Sequence, residues 1–267
     1  MAEIETKTVI CAGGLPAFIA IPAGGGPSPV IVLLHERYGL VEHTRDLARR
    51  HAREGYVCIA ADYFFKHPDQ AALHRGDTGY DMTDPESLDY MNAAIAALEN
   101  EPRADLTRIA CMGVCQTGRH PLVLAANRKI SAALVWYGAA QEREWLMNSR
   151  YPVALDELIA KADCPVLGMF GETDHIISVD SVRRLRGSLE KHGLSFHVEI
   201  FGAAPHGWLN DTMPGRYRRE AAEAAWAAQR AFLAWVFDPA RDRAFIKQSY
   251  KAAIQPSYDF SKNVRYE

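Results

Sequence analysis

A cysteine lodged between a strand-forming run and a helix-forming one is the first place in this 267-residue chain where residue type and position suggest chemistry. In Arg108-Ile109-Ala110-Cys111-Met112-Gly113-Val114-Cys115-Gln116-Thr117-Gly118 the first half reads as a buried strand, and residues 116 to 127 read as a helix. A strand-to-helix corner exposes the side chain at its apex and aims backbone N–H groups at whatever that side chain attacks. The partial positive charge of a helix start favours the thiolate, the form of cysteine that attacks carbonyl carbon. Gly113 precedes the cysteine at the usual distance, but the second small residue expected after it is Thr117, with Gly118 one place later. Tighter packing is expected there. The remaining cysteines, Cys11, Cys58, Cys111 and Cys164, lie in or beside apolar β-rich runs and read as core thiols. An odd number of cysteines without a CxxC pair disfavours a disulfide framework. The competing reading makes Cys115 one more buried structural thiol.

Three other strand ends carry ionisable residues. Val32-Leu33-Leu34 runs into His35-Glu36-Arg37-Tyr38-Gly39, Val166 to Phe170 runs into Gly171-Glu172-Thr173-Asp174, and Phe196 to Phe201 leads to Pro205-His206-Gly207-Trp208. His35-Glu36 is not a zinc-binding helix motif, because the second histidine such a motif needs is Gly39 here and the segment reads as strand then loop. The order Cys115, Asp174, His206 is nucleophile, acid, histidine, each just beyond its own strand, as in the α/β-hydrolase arrangement of a catalytic triad. His175 competes for the base role but shares a loop with Asp174, while Glu172 and Asp180 are alternatives for the acid.

The elements that must position these residues follow from hydrophobic patterning. Residues 4 to 11 and 15 to 21 read as strands joined at Gly13-Gly14, which supplies the positive φ of a tight turn, so an antiparallel hairpin opens the chain. Gly24-Gly25-Gly26-Pro27 is a connector, since no Gly-Lys-Ser/Thr follows it as a phosphate loop requires. Short apolar runs at 30–34, 57–60, 109–114, 132–136, 166–170 and 196–201 then alternate with helical segments at 42–54, 85–98, 116–127, 179–191 and 215–237. That alternation predicts parallel β-α-β units, hence an α/β fold whose mostly parallel sheet is covered on both faces and whose chemistry lies at the carboxyl ends of the strands. Residues 1–238 form one domain in this reading. Residues 239–267, with Pro256, Tyr258 and Tyr266, form an extension that packs on the domain or on a second copy of the chain, as in a homodimer. Two irregular stretches, 64–82 and 138–163, are the expected walls of a substrate pocket.

Bulk properties narrow the partners. The hydrophobic share of 48% and charged share of 24% suit a globular protein, and the net charge of −3 is spread without a basic field for nucleic acid or anionic membrane. Neither a basic, apolar leader nor a run of about 18 apolar residues is present, so a cytoplasmic location and small-molecule partners are expected.

The chain resembles the dienelactone hydrolase (carboxymethylenebutenolidase) family of the α/β-hydrolase superfamily. The resemblance rests on Leu34-His35-Glu36-Arg37-Tyr38-Gly39-Leu40, Gly55-Tyr56-Val57 through Ala61-Asp62-Tyr63, Gly113-Val114-Cys115, Phe170-Gly171-Glu172-Thr173-Asp174 and Ala204-Pro205-His206-Gly207. It spans roughly residues 8 to 236 in the family's order. It implies ester or lactone hydrolysis by a Cys115-Asp174-His206 triad through a thioester, with Glu36 as an extra carboxylate that takes the thiol proton. It also implies an oxyanion hole from the backbone N–H groups of Gln116 and Arg37, with neither metal nor organic cofactor. Known members hold a substrate carboxylate with arginines, one a few residues after the catalytic histidine, and Asn210 stands at that place here. Arg75, Arg119 or Arg216 would have to substitute, and Tyr38, Trp208 and Asn210 are further candidates for substrate contact. The rival readings are a thiol redox sensor, an inactive binding protein of the same fold, and acyl transfer to a nucleophile other than water. The lack of a resolving cysteine in CxxC spacing weighs against a dithiol redox cycle.

Overall fold

The computed structural model describes residues 3–255. Pro256, Tyr258 and Tyr266 therefore lie outside the described residues. The opening hairpin is β1 (Ile4–Cys11) and β2 (Leu15–Pro22), turned at Gly13 and Gly14 with φ of 73° and 78°. Strand β2 pairs antiparallel with β4 (Val57–Ala61), so the hairpin extends one edge of the sheet. The other strands are β3 (Ser28–Leu34), β5 (Ala104–Val114), β6 (Ala132–Trp136), β7 (Val166–Gly171), β8 (Phe196–Phe201) and β9 (Gln248–Ala252). They give the order β1-β2-β4-β3-β5-β6-β7-β8-β9, parallel from β4 through β9. Residues 248–252 of the extension thus pair with β8 of their own chain.

Because side chains alternate across a strand, an apolar run such as Val30 to Leu34 feeds two cores at once. Val30, Val32 and Leu34 pack on one face with side chains from α2 (Gln70–Arg75), α3 (Asp84–Ala96), α4 (His120–Asn127), α5 (Leu155–Lys161) and α6 (Val179–Lys191). Ile31 and Leu33 pack on the other with Leu47, Ala48 and Ala52 of α1 (Glu42–Arg53) and Ala225, Trp226 and Leu233 of α7 (Arg219–Phe237). Among the described residues no helix is long and apolar enough to cross a membrane.

Three departures from patterning have local causes. The helix expected over 116–127 breaks into a 3-10 turn, Cys115–Thr117, and α4, because the chain passes through a left-handed residue at the corner and Pro121 restarts the helix in its first turn. Helix α7 starts at Arg219, after Pro214 and Gly215, so residues 215–218 belong to the preceding loop. The excursion 64–82 contains α2, whose N-terminus is capped by Asp69 accepting from Ala72 N–H and whose end is turned by Gly76 at φ 81°.

Candidate active site

Cys115 sits at φ 60°, a left-handed value costly for a residue with a Cβ, so the surroundings must impose it. They do so by close backbone approach. A Cβ on Gly113 would collide with the Thr117 carbonyl and with Pro121; one on Gly138, just after β6, would collide with the Cys115 carbonyl and meet Gly118 Cα at 2.6 Å. Gly118 and Gly138 pack back to back under the corner. Thr117 is a tie rather than a tolerated substitute for glycine: its hydroxyl donates to the His35 carbonyl at 2.8 Å and accepts from Val114 N–H at 3.1 Å. His35 fastens the same loop from the other side. Its Nε2 accepts from Tyr63 N–H at 3.0 Å, so Nδ1 carries the proton and donates to the Glu36 carbonyl at 2.7 Å. Burial holds this ring below the ordinary histidine range.

The loops after β5, β7 and β8 bring together the three residues whose order stood out. Cys115 Sγ lies 3.0 Å from His206 Nε2, and His206 Nδ1 lies 2.8 Å from Asp174 Oδ2. The other carboxylate oxygen, Oδ1, accepts from Ile176 N–H at 2.7 Å and Ile177 N–H at 2.9 Å, which anchors the acid on its loop. All three side chains are buried. Burial pushes the His206 imidazole down, but the adjacent Cys115 and Asp174 outweigh it and hold the group well above the ordinary histidine value. Burial pushes the core thiols Cys11, Cys58 and Cys111 up, and Cys164 to about 12, as expected of inert core cysteines.

Neither alternative acid is bonded to His206, and the alternative base packs against it. His175 meets His206 ring to ring, with centroids 5.9 Å apart. Glu172 turns to the backbone N–H groups of Ala203, at 2.8 Å, and Gln255, while Asp180 is exposed and paired with Arg183.

A cleft of about 440 Å³ opens over Cys115, lined by Arg37, Tyr80, Cys115, Gln116, Arg143 and Arg150 among others. Gln116 and Arg37 thus border it together, Gln116 Nε2 donating to the Tyr80 carbonyl at 2.6 Å and Arg37 Nη2 to the Gly76 carbonyl at 3.0 Å. Most other substrate-contact expectations change. Arg119 is fully buried, bound to Asp84 through Nε at 2.9 Å and Nη2 at 2.8 Å and to the Glu144 and Val153 carbonyls, so it braces the 138–153 wall instead of facing substrate. Trp208 is core, stacked on Trp136 at 5.6 Å. Arg75, paired with Asp77 at 2.8 Å, lines a separate cavity of about 720 Å³ with Tyr38 and Arg216. Asn210 is buried and donates to Glu36 Oε2 at 2.6 Å. Glu36 Oε1 accepts from the Tyr137 hydroxyl at 3.0 Å. Burial, then Glu36, push the Tyr137 phenol well up, which keeps it a donor. In the sequence Tyr137, directly after the apolar run of β6, reads as core. Among the described residues no three His, Cys, Asp or Glu side chains gather as metal ligands.

Comparison with known proteins adds an independent line. The sequence model of the dienelactone hydrolase family matches residues 15–237. A protein of Methylorubrum extorquens named "Putative carboxymethylenebutenolidase" is 29% identical over 228 residues, 83% of this chain and 77% of the relative. One of the same name from Escherichia coli K12 is 30% identical over 222 residues, 79% of each chain. Among solved structures, a "Putative Dienelactone Hydrolase" from Klebsiella pneumoniae superposes with a TM-score of 0.77 at 26% identity, covering 87% of this chain and 99% of that one.

Proposed function

The chain belongs to the dienelactone hydrolase family and is a carboxylic ester or lactone hydrolase, and from that premise we propose that it works through a Cys115-His206-Asp174 triad and a thioester. The observation that carries the proposal is the unbroken contact from Sγ through the imidazole to the carboxylate, at 3.0 and 2.8 Å. His206 takes the thiol proton, and Sγ attacks the carbonyl carbon to give a tetrahedral oxyanion. That oxyanion is held by the backbone N–H groups of Gln116 and Arg37, each donor contributing about 3 kcal/mol of transition-state stabilisation. Collapse breaks the C–O bond; the departing alkoxide takes the proton from His206 and leaves the acyl group on sulfur as a thioester. In a lactone this alcohol stays tethered to the acyl group. Water then gives a proton to His206 and attacks the thioester, releasing the carboxylic acid and returning the thiol.

The test is a panel of p-nitrophenyl esters, enol lactones and aryl lactones with wild type, Cys115→Ala and His206→Ala. Turnover is expected on part of the panel, to be abolished by iodoacetamide and to be lost in both variants. Full esterase activity in Cys115→Ala would refute the nucleophile. Failure on every ester, with one-for-one peroxide oxidation of Cys115, would point instead to a thiol sensor.

A further inference from the structure

Glu36 is 4% exposed and both of its oxygens are hydrogen-bonded by neutral groups, Tyr137 Oη on Oε1 and Asn210 Nδ2 on Oε2. The direction of the second bond is dictated by its surroundings. Asn210 Oδ1 receives Thr212 N–H at 3.0 Å and the Thr212 hydroxyl at 2.7 Å; a backbone N–H can only donate, so the amide oxygen must face Thr212 and the NH2 must face Glu36. Tyr137 is held equally firmly. Its backbone N–H donates to the Met169 carbonyl at 2.7 Å, and its ring lies 5.3 Å from His206 and 5.4 Å from Trp208. One carboxylate therefore binds three loops to each other. They are the loop after β3 that carries Arg37, the loop after β6 whose Gly138 supports the Cys115 carbonyl, and the loop after β8 that carries both His206 and Asn210. The hydrogen bond of Cys115 Sγ goes to His206.

We infer that Glu36 is the fixed hub of this array, with Tyr137 and Asn210 as positioning residues, and that it does not serve as acceptor of the Cys115 proton. The inference rests on the hydrolase reading above but concerns alignment rather than the identity of the nucleophile. Asn210→Asp keeps the shape of the side chain and sets a carboxylate against a carboxylate where a bond of 2.6 Å stood, a like-charge contact that must open. Adding Glu36→Gln restores complementarity with the roles exchanged, since the Gln amide donates to the carboxylate introduced at 210, while its oxygen still accepts from Tyr137 and Thr212 still donates to position 210.

The experiment measures kcat and KM for p-nitrophenyl acetate at pH 8, and the rate of Cys115 alkylation by iodoacetamide, for Asn210→Asp, Glu36→Gln and the double variant. Asn210→Asp is expected to lower kcat about tenfold or more, with KM within about twofold, since misaligned groups lose rate before affinity. The double variant is expected to recover to within about threefold of wild type, and Glu36→Gln alone to cost less than Asn210→Asp. A double variant no more active than Asn210→Asp, or a Glu36→Gln loss exceeding that of Asn210→Asp, overturns the inference, because removal of a proton acceptor cannot rescue. Alkylation follows the same order even if no ester is turned over, so a failure of the hydrolase reading is distinguishable from a failure of this one.

Discussion

Replacing Asp174 by Asn alters one atom, and the hydrogen bonds around that atom dictate the consequence. Oδ1 receives the N–H groups of Ile176 and Ile177 at 2.7 and 2.9 Å. Both are donors fixed in the backbone, so the amide oxygen of the variant must remain there and its NH2 must take the place of Oδ2, 2.8 Å from His206 Nδ1. Two donors cannot share that contact. The ring responds by moving its proton to Nε2, leaving Nδ1 to accept. Nε2–H then points at Cys115 Sγ, 3.0 Å away, without the lone pair that would take the thiol proton. A triad histidine locked in the wrong tautomer costs about 10³ to 10⁴ in kcat, or about 4 to 5.5 kcal/mol of barrier. The assay is kcat and KM for p-nitrophenyl acetate at pH 7.5, with a urea unfolding curve to show that the variant is folded. KM is expected to stay within about threefold, since the substitution does not reach the cleft wall. A folded Asp174→Asn variant that keeps more than about a tenth of wild-type kcat refutes the argument from pinned amide to wrong tautomer.

Stability should depend on acid through His51, whose ring is fully buried, lies 5.1 Å from the Trp226 ring, and is pushed down to about 3 by burial and then by Arg50. Between that value and the unfolded one near about 6.5 the unfolded chain binds the extra proton, so stability is complete above about pH 6.5 and drains as pH falls toward 3. At pH 5 the loss through His51 is about 2 kcal/mol relative to pH 8; His51→Leu should remove that share, and urea midpoints showing equal pH dependence in both proteins would contradict it. Gly138→Ala should strain the Cys115 corner, costing about 1–3 kcal/mol of stability and at least about tenfold in kcat, because its Cβ meets the Cys115 carbonyl. Gly187→Ala in α6, whose Cβ meets nothing within 4 Å, should leave kcat unchanged and stabilise by about 0.5–1 kcal/mol. Chemical denaturation and turnover of the two alanine variants side by side check both.

The parts of this protein written into short stretches of sequence were those governed by local periodicity and by covalent order. Strand β6 and helix α6 begin and end where their apolar patterns do, because a parallel strand buried on both faces must be apolar throughout and an amphipathic helix must show its 3.6-residue stripe; in β8 the half-buried His197 and Glu199 alternate with buried apolar residues, a period-two pattern that marks a strand equally well. The order of Cys115, Asp174 and His206, each just past its strand, likewise puts them at one end of the sheet. Contacts between loops were another matter. Arg119, next to the Cys115 turn, reads in sequence as available to substrate but is claimed by Asp84, and Asn210 reads as a pocket residue but gives its amide hydrogen to Glu36, 174 positions earlier. Tyr137 carries no signal, since a tyrosine just past an apolar strand is indistinguishable from core until its hydroxyl is seen to face a buried carboxylate. Periodicity says which face of an element is buried, but a buried polar group must be satisfied by whichever partner the folded loops deliver, and that partner has no fixed spacing in the chain. The tertiary structure alone therefore decided which polar residues reach the cleft and which hold it together.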